Sequence, residues 1–152
     1  MEMLATFGAG CFWGVELEFS KVKGVITTVV GYMGGDLDMP DYQAVCTGTT
    51  GHAEVLQLDY EPSEVSYDEL LELFWRIHNP TTLNRQGPDV GTQYRSVIFY
   101  HNTEQALAAR KSVSDLNNSK HFGAEVITEI AEASEFYKAE GYHQCYLKKQ
   151  GG

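Results

Sequence analysis

The chain has 152 residues, 43% of them hydrophobic, which is enough for one well-filled core and too few for two ordinary domains, so one globular domain over residues 1–152 is expected. Eleven basic against 21 acidic residues leave a formal net charge of -10, which repels phosphate backbones and anionic lipid and argues against nucleic-acid or membrane partners. No stretch approaches the ~20 apolar residues of a membrane span, the first residues lack the basic-then-apolar layout of a secretion signal, and the scattered cysteines contain no Cys-x-x-Cys pair, so a reduced cytoplasmic protein, and a monomer, is expected.

Met3 to Phe7 is a short apolar run that reads as the first strand. It leads into Gly8-Ala9-Gly10-Cys11-Phe12-Trp13-Gly14, after which Val15, Phe19 and Val22 recur at helical spacing. The pattern predicts a helix from about Gly14 to Val22, ended by Gly24 as a left-handed cap. A cysteine at a strand-to-helix junction faces the first free N–H groups of the helix, whose partial positive charge favours thiolate over thiol. An isolated cysteine is more often a small buried hydrophobe, but the glycine frame suits a reactive turn better than a packed core. Cys11 is therefore the candidate nucleophile.

Val25 to Val30 is β-branched almost throughout and reads as a strand, broken by Gly31 to Gly35 before a loop that carries Tyr42 and Cys46. In the next strand, Gly51 to Tyr60, alternation puts His52, Glu54, Leu56, Leu58 and Tyr60 on one face and Ala53, Val55, Gln57 and Asp59 on the other. If the leucine face is the core, Glu54 enters it near its end, and desolvation raises its carboxyl toward neutrality, where it can donate a proton. A solvated strand end or a structural partner is the competing reading.

Ser66-x-x-Glu69 is a capping box, and Tyr67, Leu70, Leu71, Phe74 and Ile77 repeat at helical spacing until Asn79-Pro80. A polar loop from Thr81 to Gln93 is long enough to be functional, and it opens onto a strand from Tyr94 to His101. Asn102 and Gln105 suit the start of a helix whose stripe is Ala106, Ala109, Val113 and Leu116. A short strand near Val126 to Ile130 and helical pieces at about Glu135 to Tyr137 and Tyr142 to Lys148 complete the expectation. The order of elements suggests an α+β, ferredoxin-like two-layer sandwich, with a mainly antiparallel mixed sheet and an irregular C-terminal region.

Gly-Cys-Phe-Trp-Gly at 10–14, Gly-His-Ala-Glu at 51–54 and Gly-Thr-Gln-Tyr-Arg-Ser at 91–96 together resemble the A-type peptide methionine sulfoxide reductases. Gly31-Tyr32, Thr47-Gly48-Thr49-Thr50, Asn79-Pro80-Thr81-Thr82 and Glu140-Gly141-Tyr142-His143-Gln144 extend the resemblance in order along the chain. It implies thiol-dependent reduction of methionine-(S)-sulfoxide, protein-bound or free, with no metal and no bound cofactor, and with thioredoxin or glutaredoxin as the external reductant. By the same resemblance Cys11 is the nucleophile, Glu54 the proton donor, Tyr42 and Tyr94 the phenols that hold the sulfoxide oxygen, and Asp89 a polar site residue. Phe12 and Trp13 correspond to the aromatic walls around the S-methyl group.

Attack leaves a sulfenic acid on Cys11, which a second thiol condenses with to give a disulfide. The family's resolving cysteine lies in a glycine-rich tail that this sequence is expected to lack, so Cys145 is the expected partner of Cys11, while Cys46 is read as a packing residue. A thiol peroxidase, an acyl-transfer enzyme and a non-enzymatic acidic interaction domain are the alternatives that a reactive thiol and an acidic chain leave open.

Overall fold

The computed structural model describes residues 3–149. Six strands form the main sheet in the order β7-β6-β1-β3-β2-β8: β1 (Met3–Ala9), β2 (Val25–Met33), β3 (Ala53–Tyr60), β6 (Ser96–Tyr100), β7 (Glu129–Glu132) and β8 (Tyr137–Lys138). Its four central strands pair antiparallel and β7 joins β6 in parallel, which gives the mixed, mainly antiparallel sheet of an α+β fold. A two-strand hairpin, β4 (Arg85–Gln86) with β5 (Asp89–Val90), stands apart from it. The helices are α1 (Phe12–Ser20), α2 (Tyr42–Cys46), α3 (Tyr67–Arg76), α4 (Thr103–Ser119) and α5 (Tyr146–Lys149).

One sheet face meets α1, α3 and α4 in the main core, where Phe7 stacks on Phe19 and Phe74 with ring centroids 5.2 Å apart in each pair. Leu56, Leu58 and Tyr60 of β3 point into this core, as the alternation of the strand requires. The opposite face is also buried: Ala53 and Val55 pack with Met33, Val97 and Phe99 under Ala131, Ala133 and Phe136. Glu54, on the leucine face, is 1% exposed. The Ser66–Glu69 capping box forms with both of its hydrogen bonds, and Asn102 caps α4 by accepting the Gln105 N–H.

Several boundaries differ from the pattern in the sequence. Helix α1 begins at Phe12 because Cys11 already serves as its N-cap, and it closes on a right-handed Lys21, so Gly24 lies in the turn beyond and is not the cap. Gly31 does not break β2; a Cβ there would stand 2.3 Å from the Tyr137 carbonyl oxygen, so glycine is what lets β8 approach. The expected helical piece at Glu135–Tyr137 is replaced by that edge strand. Asp41 accepts the Ala44 N–H at 2.7 Å and makes a short helix, α2, out of the expected loop.

Tyr94 sits in a 3-10 turn (Thr92–Tyr94) and its strand starts only at Ser96. Val126 and Ile127 give their N–H groups to the Asn117 side chain and the Pro80 carbonyl, which delays β7 to Glu129. The C-terminal helical stretch is split into a 3-10 turn (Gly141–His143) and α5, with Cys145 between them at φ 53°. Among the described residues no helix is long and apolar enough to cross a membrane. Residues 1, 2 and 150–152 of the expected single domain lie outside the described residues.

Candidate active site

Antiparallel register gathers the candidate residues at one end of the sheet. Ala9 pairs with Ser96 and Tyr32 with Glu54, so the C-terminal ends of β1 and β2 meet the N-terminal ends of β3 and β6. Cys11 follows β1, Tyr94 precedes β6, and Tyr42 stands on α2 beyond β2. The turn that presents Cys11 needs Gly10, at φ +97°, where a Cβ would meet the Gln86 side chain of the β4–β5 hairpin at 2.9 Å. That hairpin in turn carries Asp89.

Cys11 is half-buried at the N-terminus of α1. Burial pushes its thiol up to about 11, against the downward pull of the Trp13 and Gly14 N–H groups, and the negative charges of Glu54 and Asp89 add to the rise. The thiolate expected from the helix start is thus not the resting state, because desolvation and two nearby carboxylates outweigh the helix N–H groups. Glu54 places Oε1 3.3 Å from the Phe12 N–H, one residue past Cys11, while its Oε2 is buried without a partner. Burial pushes its carboxyl up to about 7, opposed by that N–H and aided by Asp89. The Glu54 side chain thus reaches across from β3 to the backbone next to the Cys11 thiol.

Both phenols face the same space. Tyr94, half-buried, is pushed up to about 12 by burial and then by the charges of Glu54, Cys46, Asp89 and Cys11. Tyr42 is raised by burial first, then by its hydrogen bond to the Cys46 thiol, with Glu54 and Tyr94 contributing. Both keep their protons and remain hydrogen-bond donors. The backbone of Tyr42 is pinned by Glu140, which accepts its N–H at 3.0 Å and the Tyr32 hydroxyl at 3.0 Å.

Phe12 is 1% exposed, its ring 5.8 Å from Tyr32 and 5.2 Å from His143. Trp13 is half-buried, stacks on Tyr146 at 4.0 Å, and gives its indole N–H to His143 Nδ1 at 2.9 Å. His143, which the sequence offers within a resembling motif but with no role, is held toward the neutral form by burial, and the indole contact assigns its proton to Nε2.

The other two thiols lie apart in role. Cys46 is exposed at the last residue of α2, so the packing role read for it is wrong: the helix that Asp41 starts turns its thiol toward the rim beside Tyr42. Cys145, half-buried, directs its thiol to Glu16 of α1, with Sγ 3.7 Å from Oε2. Cys11, Cys46 and Cys145 are all free thiols. Glu16 was also missed, although a signal existed: Phe12, Val15, Glu16 and Phe19 fall at i, i+3, i+4 and i+7, which puts a carboxylate on the buried stripe once the helix is started at Phe12. Among the described residues no group of three or more His, Cys, Asp or Glu side chains is placed to hold a metal ion.

A family model described as "Peptide methionine sulfoxide reductase" matches residues 3–152. The chain is 60% identical over 148 residues to the peptide methionine sulfoxide reductase MsrA of Geobacter metallireducens, covering 97% of this chain and 91% of that one. Among solved structures it is similar to Mxr1 from Saccharomyces cerevisiae in reduced form, with a TM-score of 0.92 at 39% identity over 99% of this chain and 86% of that one. Against Mxr1 in complex with Trx2 the TM-score is 0.67 at 27% identity, over 95% of this chain and 84% of that one.

Proposed function

The chain belongs to the peptide methionine sulfoxide reductase family and is an oxidoreductase that reduces methionine sulfoxide at the expense of thiols; from that premise we propose that Cys11 is the nucleophile and Glu54 its proton donor. The observation that carries the assignment is the Glu54 carboxyl: buried, held by a single N–H beside Cys11, and left with one oxygen unpaired. A buried carboxyl short of donors keeps its proton near neutrality and gains from handing it to a developing oxyanion.

With Glu54 near 7 and Cys11 near 11, the pair holds one proton between those pH values, resting on the thiol. Productive attack needs that proton on Glu54. Moving it there removes the carboxylate charge that opposes the thiolate, so each group prepares the other. The Cys11 thiolate then attacks the sulfoxide sulfur while Glu54 protonates its oxygen, with the hydroxyls of Tyr42 and Tyr94 as further donors and Asp89 keeping the site polar. The S–S bond formed by the attack and the substrate S–O bond then break, the protonated oxygen passes to Cys11 as a sulfenic acid, and the substrate sulfur keeps the electron pair and leaves as the thioether of methionine. Phe12 and Trp13 are the proposed apolar wall for the S-methyl group, and a methyl-sized contact of about 1–3 kcal/mol there supports selection of the S epimer in peptides and free methionine sulfoxide alike.

Cys145 is the proposed resolving thiol, since it stands on a short segment packed against α1, and a thioredoxin-class dithiol protein is the proposed reductant by likeness to Mxr1, which has been solved with Trx2. We read the strand order β6-β1-β3-β2, with α1 and α3 on one face, as a ferredoxin-like sandwich acting as one catalytic domain, and the free thiols as suited to the cytoplasm. One equivalent of methionine sulfoxide followed by mass spectrometry of alkylated peptides tests the assignment. A Cys11–Cys145 disulfide is expected; a Cys11–Cys46 disulfide, or a lasting sulfenic acid with Cys145 free, overturns it.

A further inference from the structure

Glu16 is a second buried carboxylate beside the site, 2% exposed, on the same helix that Cys11 caps. The mechanism above does not use it. Its Oε1 accepts the Cys145 N–H at 2.6 Å, and its Oε2 accepts the Thr28 hydroxyl at 2.9 Å and the Cys145 thiol at 3.7 Å. One carboxylate thus ties β2 and the C-terminal segment to α1, and two of its three donors belong to a single cysteine.

Cys145 needs such an anchor. It adopts φ 53°, a left-handed conformation that side chains with a Cβ disfavour, between the 3-10 turn and α5. Its neighbours are fixed independently: Gln144 exchanges hydrogen bonds with the backbone of Val30 and also donates to the Ala139 carbonyl, each at 2.9 Å, while Tyr146 stacks on Trp13. Among the described residues, Glu16 is the hydrogen-bond partner of both the Cys145 N–H and its thiol.

Resolution consumes one of those bonds by its chemistry. The Cys145 sulfur supplies the electron pair for the new S–S bond to Cys11, the S–OH bond of the sulfenic acid breaks, and the departing hydroxide leaves as water with the proton that Cys145 loses. A sulfur in a disulfide has no proton left to donate to Oε2, and the bond's short length and fixed dihedral set a new direction for it. We propose that Glu16 is a positioning residue for the resolving step: it parks the Cys145 thiol on the flank of α1 during sulfoxide reduction, and release from Glu16 governs how fast the Cys11–Cys145 disulfide forms. This rests on the reading of Cys145 as the resolving thiol.

Rapid-quench single turnovers separate the two steps, with released methionine reporting the first and alkylation mass spectrometry the disulfide. In Glu16→Gln, which keeps an acceptor oxygen for the Cys145 N–H and removes the carboxylate, disulfide formation is expected to accelerate about fivefold, whereas methionine release stays within about twofold of the original rate. Glu16→Asp, which keeps the charge but draws it back by one methylene, is expected to accelerate it too, and serves if the first variant does not fold. Thr28→Val removes the third donor without touching Cys145 and is expected to leave the disulfide rate unchanged. Disulfide formation that is unchanged or slower in the Glu16 variants, or equally accelerated in Thr28→Val, overturns the proposal. Cys145→Ser distinguishes the underlying reading: it should leave Cys11 as a sulfenic acid, and a disulfide to Cys46 forming at the original rate would remove Cys145, and the role of Glu16 with it.

Discussion

Glu54 and Glu16 are buried almost equally, at 1% and 2% exposure, on two sides of the Cys11 turn, yet the protein surrounds them in opposite ways. Glu54 receives one N–H at 3.3 Å and has an orphan oxygen; Glu16 receives three donors and binds two elements to α1. Burial alone therefore does not assign a role to a carboxyl. The number of donors separates them: the starved carboxyl is the one proposed as the proton donor, and the fully supplied one is the one proposed to hold Cys145.

Exchanging the two behaviours by mutation should expose the difference. The largest effect is expected for Glu54→Gln, which should lower sulfoxide reduction near neutral pH by about 100-fold or more, the usual worth of a positioned general acid, as read from methionine released per second. Its folding stability should hold within about 0.5 kcal/mol in a urea titration at about pH 4.5, where the folded wild type carries a neutral Glu54 carboxyl and no hydrogen-bond network is broken by the change to an amide. Glu16→Ala should do the reverse to stability, costing about 2–4 kcal/mol in the same titration, because the Cys145 N–H and the Thr28 hydroxyl each lose a buried acceptor.

The pH dependence of stability sharpens the contrast next. The folded-state value for Glu54, about 7, lies above its ordinary 4.5, so the folded protein binds more protons than the unfolded chain between those values and stability falls as pH rises through them. Its contribution to that fall is roughly 3 kcal/mol, complete a little above pH 7, and should be missing from Glu54→Gln when denaturation midpoints are compared from pH 4.5 to 8. The smallest effect is expected at Gly10, whose φ of +97° strains any Cβ. Gly10→Ala should cost about 1–2 kcal/mol of stability and, by pushing on Gln86, reduce turnover more than Gly14→Ala, where a Cβ meets nothing within 4 Å.

The parts of this site that could be read from the sequence are those written locally. The Ser66–Glu69 box, the alternation that drives Glu54 into the core and the glycines around Cys11 each act within a few residues, and their structures follow directly. What could not be read depends on contacts between distant segments. Cys145 lies 129 residues from Glu16, and β8 exists because Gly31 leaves room for Tyr137, so neither has a signature in its own neighbourhood. The short α2 was hidden for another reason: Asp41 caps only five residues, too few to show a helical stripe, and the exposure of Cys46 followed from it. The thiolate expected at Cys11 is opposed by burial and by the charges of Glu54 and Asp89, which no local pattern shows, whereas the helix N–H groups that favour it are visible in the sequence.

The central claim is that Cys11 and Glu54 pass one proton between them, and the pH profile of single-turnover methionine release, measured as kcat/KM, tests it most directly. In the wild-type chain the rate should rise as pH increases through about 7, where the pair loses the first of its two protons, and then stay level well into the alkaline range because the second is held until about 11. Glu54→Gln should lose the step near 7 and instead climb slowly with ionisation of Cys11 alone. A glutamine variant that keeps both the wild-type rate and the step near 7 would contradict the account.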